Sequence, residues 1–221
     1  VSITVGQVTV PTSKSASASR GGKKQHTQVQ LISSVKTIKA GNTFTVGLLM
    51  KMDVGWHTYW KNGGEAGLPT QVKWKLPKGF TASEIQWPLP HKYNETGEVL
   101  TYGYADENML LVDITAPAGV SVGSPVILHA DVEWLECENI CVPGNAPAEL
   151  KLPVSNVESL PDNVSLFEKY RSQVPISFSE QTEFTLESTA SNASLEFRVK
   201  PKQGGSFVIV KDALPDLYPE A

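Results

Sequence analysis

From Thr27 to Trp134, apolar residues recur at every second position in short runs, and this period of two confines the fold to half-buried β-strands. Phe44, Val46, Leu48, Met50 and Met52 share one face of a strand, Val72, Trp74 and Leu76 a second, and Leu110, Val112 and Ile114 a third. The longest run is Val126, Leu128, Ala130, Val132 and Trp134. Segments rich in glycine, proline and lysine, such as KNGGEAGLP (61–69) and LPKGF (76–80), separate these runs. Strands of this length between such turns predict an all-β, antiparallel sandwich.

The pattern changes at both ends. VSITVGQVTV (1–10) has the character of an edge strand, but Ser, Ala, Gly and Lys dominate 11–24 without periodicity, so residues 1–26 read as a flexible amino-terminal tail. The sandwich is expected over 27–155. After Leu152, LPDNVSLFEKYRSQVP (160–175) has Leu166, Phe167, Tyr170 and Val174 at helical spacing, Asp162 or Asn163 as a cap and Pro175 as a stop, predicting a linker helix within 156–175. Alternation then resumes at Phe184 and Leu186, at Leu195, Phe197 and Val199, and at 207–210. So few strands are too little to close another sandwich, so 176–221 is expected to be the start of a second β domain in a longer protein.

Composition excludes several function classes. The 221 residues are 40% hydrophobic and 19% charged with a net charge of −4, as in ordinary globular proteins. Lysine and arginine form no stripe that would neutralise phosphates, so no nucleic-acid partner is expected. There is no apolar span of membrane-crossing length and no signal pattern at the amino terminus. HExxH and phosphate-cradling glycine loops are missing too. Sequons at Asn94, Asn163 and Asn192 matter only in a eukaryotic secretory setting.

Two cysteines, Cys137 and Cys141, stand in WLECENICVPGNAP (134–147) with three residues between them. Bonded to each other they would close a loop so short that the chain-entropy gain is roughly 2 kcal/mol, little for a structural staple. Short-loop pairs are more typical of reversible redox centres. The strand ending at Leu135 delivers Cys137 to a loop that must curl, because extended residues hold the Cα atoms beyond the roughly 4.4–6.8 Å a disulfide allows. Glu136 and Glu138 beside the pair disfavour a thiolate by repulsion. A structural bridge in a scaffold sandwich remains the plainer alternative. A copper site is another, built from the cysteines with His57, His129 or Met50, although no histidine lies at ligand spacing from the pair. A second cysteine pair for zinc is missing. His57, among aromatic neighbours, is expected to be a structural histidine rather than a proton carrier. The tryptophans Trp56, Trp60, Trp74, Trp87 and Trp134 are expected in the core, with one indole a candidate wall for the cysteines.

Four stretches carry a resemblance in this order: GWHTYWKNGGEAGLPT (55–70), EIQWPLPHKY (84–93), LTYGYADENMLLVDIT (100–115) and WLECENICVPG (134–144). Together, over 28–154 and weakly beyond, they resemble the amino-terminal extracytoplasmic domain of the DsbD family of thiol:disulfide interchange proteins, in the branch of the suppressor-of-copper-sensitivity B proteins. The resemblance implies an immunoglobulin-like sandwich with a redox loop at one end. It implies a periplasmic location and a protein-disulfide reductase activity without an organic cofactor or metal. Electrons would come through the protein's own membrane and thioredoxin-like domains and pass to thioredoxin-fold partners. It assigns Cys141 to the mixed disulfide with partners and Cys137 to its resolution. It also places a shielding cap loop at Glu98, Val99, Leu100, Thr101, Tyr102, Gly103 and Tyr104, with Tyr102 and Gly103 matching the loop's aromatic and glycine. This chain departs from the better-known branch, which has five residues between its cysteines and acidic residues where Val99 and Leu100 stand; Glu98 is the nearest carboxylate.

Overall fold

The computed structural model describes residues 24–94, 99–175, 184–190 and 195–201. The strands are β1 (Thr27–Ser33), β2 (Ile38–Lys39), β3 (Thr43–Met52), β4 (His57–Gly64), β5 (Gln71–Lys75), β6 (Thr81–Ala82), β7 (His91–Asn94), β8 (Leu100–Ala105) and β9 (Glu107–Thr115). They continue as β10 (Val126–Cys137), β11 (Cys141–Leu152) and β12 (Val154–Ser155), followed by helix α1 (Val164–Arg171) and by β13 (Phe184–Ala190) and β14 (Leu195–Pro201). The described residues are all-β apart from α1, as the period of two predicts.

Two sheets form an immunoglobulin-like sandwich. One is four-stranded in the order β1-β3-β9-β6; the other is six-stranded in the order β11-β10-β4-β8-β7, with β5 also paired to β10. Pairing in both is antiparallel, and among the described residues the two-residue strands β2 and β12 form a parallel ladder. The alternating residues of the sequence meet between the sheets. Val46, Leu48 and Met50 of β3 and Leu110, Val112 and Ile114 of β9 pack in one core with Leu128, Ala130, Val132 and Trp134 of β10. Trp60, Tyr102 and Tyr104 complete the inner face of the larger sheet, and Trp74 and Trp87 pack at the core's margin.

Helix α1 does more than link. Phe167 and Tyr170 are buried with Leu49, Met109 and Leu111 on the outer face of the four-stranded sheet, so β9 is buried on both sides. Asn163 starts the helix in the left-handed region and makes no side-chain cap; its Nδ2 donates instead to the Ser33 carbonyl at 3.0 Å. Arg171 donates to Thr45 Oγ1 at 2.7 Å and the Tyr170 hydroxyl to Glu107 Oε1 at 2.9 Å, which fastens the helix along the sheet.

The last residues of the span expected as a tail, 1–26, lie on the sandwich. Residues 1–23 lie outside the described residues, but Lys24, Gln25 and His26 are docked. The His26 ring stacks on Trp56 with centroids 3.7 Å apart, its backbone N–H donates to Glu136, and Gln25 Nε2 donates to the Asn145 carbonyl at 2.8 Å. An aromatic surface and a buried acceptor are what hold these polar residues in place. Beyond α1, β13 and β14 pair as an antiparallel hairpin; the strand expected at 207–210 lies outside the described residues, and so does the edge strand expected at 1–10.

Candidate functional site

Strands β10 and β11 are two arms of one long hairpin, registered from Val126↔Leu152 to Cys137↔Cys141. Its tip, Glu138–Ile140, is three residues long, and the turn brings the two cysteine Cα atoms to 4.1 Å, where the sulfurs are bonded as a disulfide. The curl that the spacing demanded is thus a tight hairpin turn. Alternation then decides which way each side chain points. Even-numbered residues of β10 turn into the core, and Cys137 turns out with His57, its partner across the ladder in β4.

The two sulfurs are unequally placed. Cys137 is 3% exposed, whereas Cys141 at the start of β11 is exposed. Tyr59 lies over the buried one: its hydroxyl donates to Cys137 Sγ at 2.9 Å and stands 3.6 Å from Cys141 Sγ. The same oxygen is 3.3 Å from His57 Nε2. His57 meets the Tyr59 ring edge-on and stacks on Tyr93 of β7, with both centroid distances 5.2 Å. His57 is therefore packed as a structural histidine would be, and it also belongs to the polar chain that ends on a sulfur. The aromatic ring that reaches the pair is that of Tyr59, with Tyr93 behind His57. The sequence contained a signal for this, since His57 and Tyr59 alternate with the core residue Trp60 and so share the other face.

The loop after β4 holds that arrangement. A Cβ on Gly67 would run into Tyr59 Cδ1, so only glycine lets the loop lie against the ring. Gly64, at φ 77°, would meet the Leu100 carbonyl in the same way. Glu65 then closes a reciprocal pair, its N–H donating to the Leu100 carbonyl at 2.9 Å and its carboxylate accepting the Leu100 N–H at 2.8 Å.

The segment expected as a cap loop is mostly strand. Leu100 to Tyr104 belong to β8, between β4 and β7, with Thr101, Tyr102, Gly103 and Tyr104 buried and Val99 and Leu100 half-buried. Leu100, Tyr102 and Tyr104 turn to the core by the same alternation that governs β10, and Tyr102 packs edge-on against Trp60. Their side chains consequently lie on the face away from the sulfurs. Glu98 lies outside the described residues.

Glu136 corrects a second expectation. It is fully buried on the inner face, where its carboxylate accepts from the His26 N–H and from the Trp134 indole at 2.9 Å each. Its charge is directed away from Cys137 and into these donors. Glu138 is exposed, with its carboxylate beside Gly55. Of the candidate copper ligands, only His57 is brought to the pair: His129 faces Glu149 far along the hairpin, at 2.9 Å, and Met50 is buried in the core. Among the described residues, no cluster of three His, Cys, Asp or Glu side chains is placed to hold a metal.

Large apolar side chains rim this end of the sandwich. Ile140 is 68% exposed at the hairpin tip, Val54 is 93% exposed in the turn beside Glu138, and Leu68 is 63% exposed next to Gly67.

Residues 25–154, more than half of the chain, match the family model described as "Thiol:disulfide interchange protein DsbD, N-terminal". The chain belongs to this family. The DsbD N-terminal match starts at the docked residues before β1 and ends at β12, so it covers the sandwich and the disulfide hairpin. Among solved structures, the N-terminal periplasmic domain of ScsB from Proteus mirabilis is similar at 20% identity and a TM-score of 0.56, over 81% of this chain and 66% of that one. The chain thus spans just under two thirds of the ScsB domain's length, and the likeness is one of fold. The reduced DsbD N-terminal domain from Neisseria meningitidis aligns at 12% identity and a TM-score of 0.26, over 60% of this chain and 88% of that one. No curated protein matches the sequence. As a DsbD N-terminal domain with its two cysteines bonded to each other, the molecule is a thiol:disulfide interchange module.

Proposed function

We propose that the module is the periplasmic delivery end of a protein-disulfide reductase, carrying electrons to thioredoxin-fold proteins through a reversible Cys137–Cys141 bond. In the reduced form, Cys141 attacks a partner's disulfide and forms a mixed disulfide. Cys137 then attacks Cys141 Sγ, the partner leaves reduced, and the pair is recharged by a thioredoxin-like domain of the same longer protein that draws electrons through the membrane. Sulfur carries both electrons, so the cycle uses no organic cofactor or metal.

The observation that carries this reading is the unequal exposure of the sulfurs. Exchange requires a thiolate to approach a sulfur in line with the bond it breaks, and of the two cysteines Cys141 is exposed while Cys137 is buried. A bridge serving only as a staple has no need for an accessible sulfur at a pole rimmed by Ile140, Val54 and Leu68. The shielding role attaches to strands β7 and β8, because Tyr93 of β7 covers His57 while β8 supplies the strand between.

Equilibrium titration against glutathione or dithiothreitol, with alkylated thiols counted by mass spectrometry, tests the proposal. A reduction potential between about −270 mV and about −120 mV is expected, the range of thiol carriers; a value well below about −300 mV marks a structural bridge and overturns it.

A further inference from the structure

We infer that Tyr59 is a catalytic residue of the exchange reaction, its hydroxyl stabilising the thiolate that forms on Cys137, and that His57 is the positioning residue that aims this hydroxyl. The inference rests on the exchange reading above and assigns chemistry to the side chains around the buried sulfur.

The geometry is directional. The phenolic oxygen is 2.9 Å from Cys137 Sγ and 3.6 Å from Cys141 Sγ, so the donor is offset toward the sulfur that partners cannot reach. Tyr59 is 2% exposed and its ring is wedged by Gly67. His57 Nε2 lies 3.3 Å from the same oxygen. A hydrogen on Nε2 donated to that oxygen commits the phenolic hydrogen to the sulfur. Stacking on Tyr93 keeps the imidazole from swinging away.

In the recharging step, a thiolate of the dithiol reductant attacks Cys141 Sγ. A new S–S bond forms there, the Cys137–Cys141 bond breaks, and its electron pair departs on Cys137 as a thiolate. No proton need move for the step to balance. The new anion appears in a site closed to bulk water, where an unsupported charge is costly and a fixed donor is most effective. Disulfide exchange runs faster when the leaving sulfur is the more stable thiolate, so a donor at Cys137 makes it the leaving group when Cys141 is attacked. Among the described residues, the groups placed at Cys137 are Tyr59 and His57 from β4, Tyr93 through His57 from β7, and Cys141 from β11. From β8, Gly103 and Ala105 bring no charge to that face, Glu136 is turned to the core, and the Glu138 carboxylate lies by Gly55.

Two measurements on the 221-residue chain test the assignment. The first is the second-order rate of disulfide reduction by dithiothreitol at neutral pH for the native chain, Tyr59→Phe, His57→Gln and His57→Leu. The second is the ultraviolet thiolate titration of Cys137 in a Cys141→Ser background, with and without Tyr59→Phe. Tyr59→Phe is expected to slow reduction roughly tenfold and to move the Cys137 titration up by about one pH unit, the same free energy read twice. His57→Gln, which keeps a nitrogen donor, is expected to stay within about twofold of the native rate, while His57→Leu falls toward Tyr59→Phe. A folded Tyr59→Phe chain with an unmoved Cys137 titration overturns the assignment, even if reduction slows, because lost packing alone changes rate without changing the thiolate. Should Tyr59→Phe not fold, the His57→Leu and His57→Gln titrations decide in the same way. A native disulfide that resists dithiothreitol sinks the exchange reading and this one with it, whereas a readily reduced disulfide indifferent to Tyr59→Phe removes only the role of Tyr59.

Discussion

Gly67 lies against the ring of Tyr59 so closely that any larger residue at 67 would collide with Cδ1. The loop that follows β4 is thereby a fitted backing for the ring that reaches the disulfide. Gly67→Ala is expected to cost about 1–3 kcal/mol by overpacking, read as a lower urea midpoint at unchanged slope. An unchanged midpoint would show that the loop yields freely and does not hold the ring.

Glu136 anchors the docked amino-terminal residues to the hairpin through one oxygen and the Trp134 indole through the other. Glu136→Ala leaves both donors without their acceptor in a buried place, and a loss of about 2–4 kcal/mol is expected in urea unfolding. Glu136→Gln, with a single acceptor oxygen, is expected to lose an intermediate amount.

Cys141→Ser is expected to abolish capture of a thioredoxin-fold partner, and Cys137→Ser to accumulate the mixed disulfide through Cys141. Non-reducing electrophoresis with each variant distinguishes the two. The opposite pattern would exchange the roles of the cysteines.

Ile140→Asp puts a charge at the hairpin tip, where Ile140 is exposed beside Cys141. Its mixed-disulfide formation with a protein disulfide should slow several-fold, while reaction with a small disulfide stays within about twofold, since interface cores disfavour charge. Equal slowing of both reactions would place the effect at the sulfur and not in docking.

Docking of α1 carries its own pH dependence. Burial first, then the hydrogen bond and the charge of Glu107, push the Tyr170 phenol above its ordinary value of 10.0. Because the folded-state value is the higher one, this contribution is complete below about pH 10 and is lost as pH rises toward the folded value. Burial also acts on Glu107 in the upward direction, but the Tyr170 hydrogen bond and the charges of Lys51 and Lys169 outweigh it and hold the carboxyl below its ordinary 4.5. That contribution is present above the ordinary value and fades as pH falls. Thermal unfolding of Tyr170→Phe is therefore expected to fall less steeply than that of the native chain above pH 10; parallel curves would remove Tyr170 from the account.

The sandwich was legible because a period of two fixes which residues face inward, and Val46, Leu110, Leu128 and Trp134 all do. Met109 and Leu111 were not part of that pattern. They are buried on the opposite face by α1, and a helix contributes no signal to the strand it covers. The cysteine spacing announced a short closed loop, but which sulfur is buried depends on Cys137 standing across from His57 in β4, a register set by residues distant in sequence. Tyr59 was hidden for the same reason. Its strand neighbours identify its face, and only the packed structure shows what lies on that face. The segment from Leu100 to Tyr104 carried alternation of its own, Leu, Tyr and Tyr at every second place, and this local preference makes it a strand.

Helix α1 begins beside Ser33, and Tyr170 near its end reaches Glu107, one turn of chain from Ala105 in the row that continues through His57 to Cys137. The backbone leaves the sandwich at one pole and is carried back to the other before residue 175, where the Gln173 carbonyl accepts the Leu89 N–H. The helix is therefore a return stroke across the back of the four-stranded sheet, ending by the turn between β8 and β9.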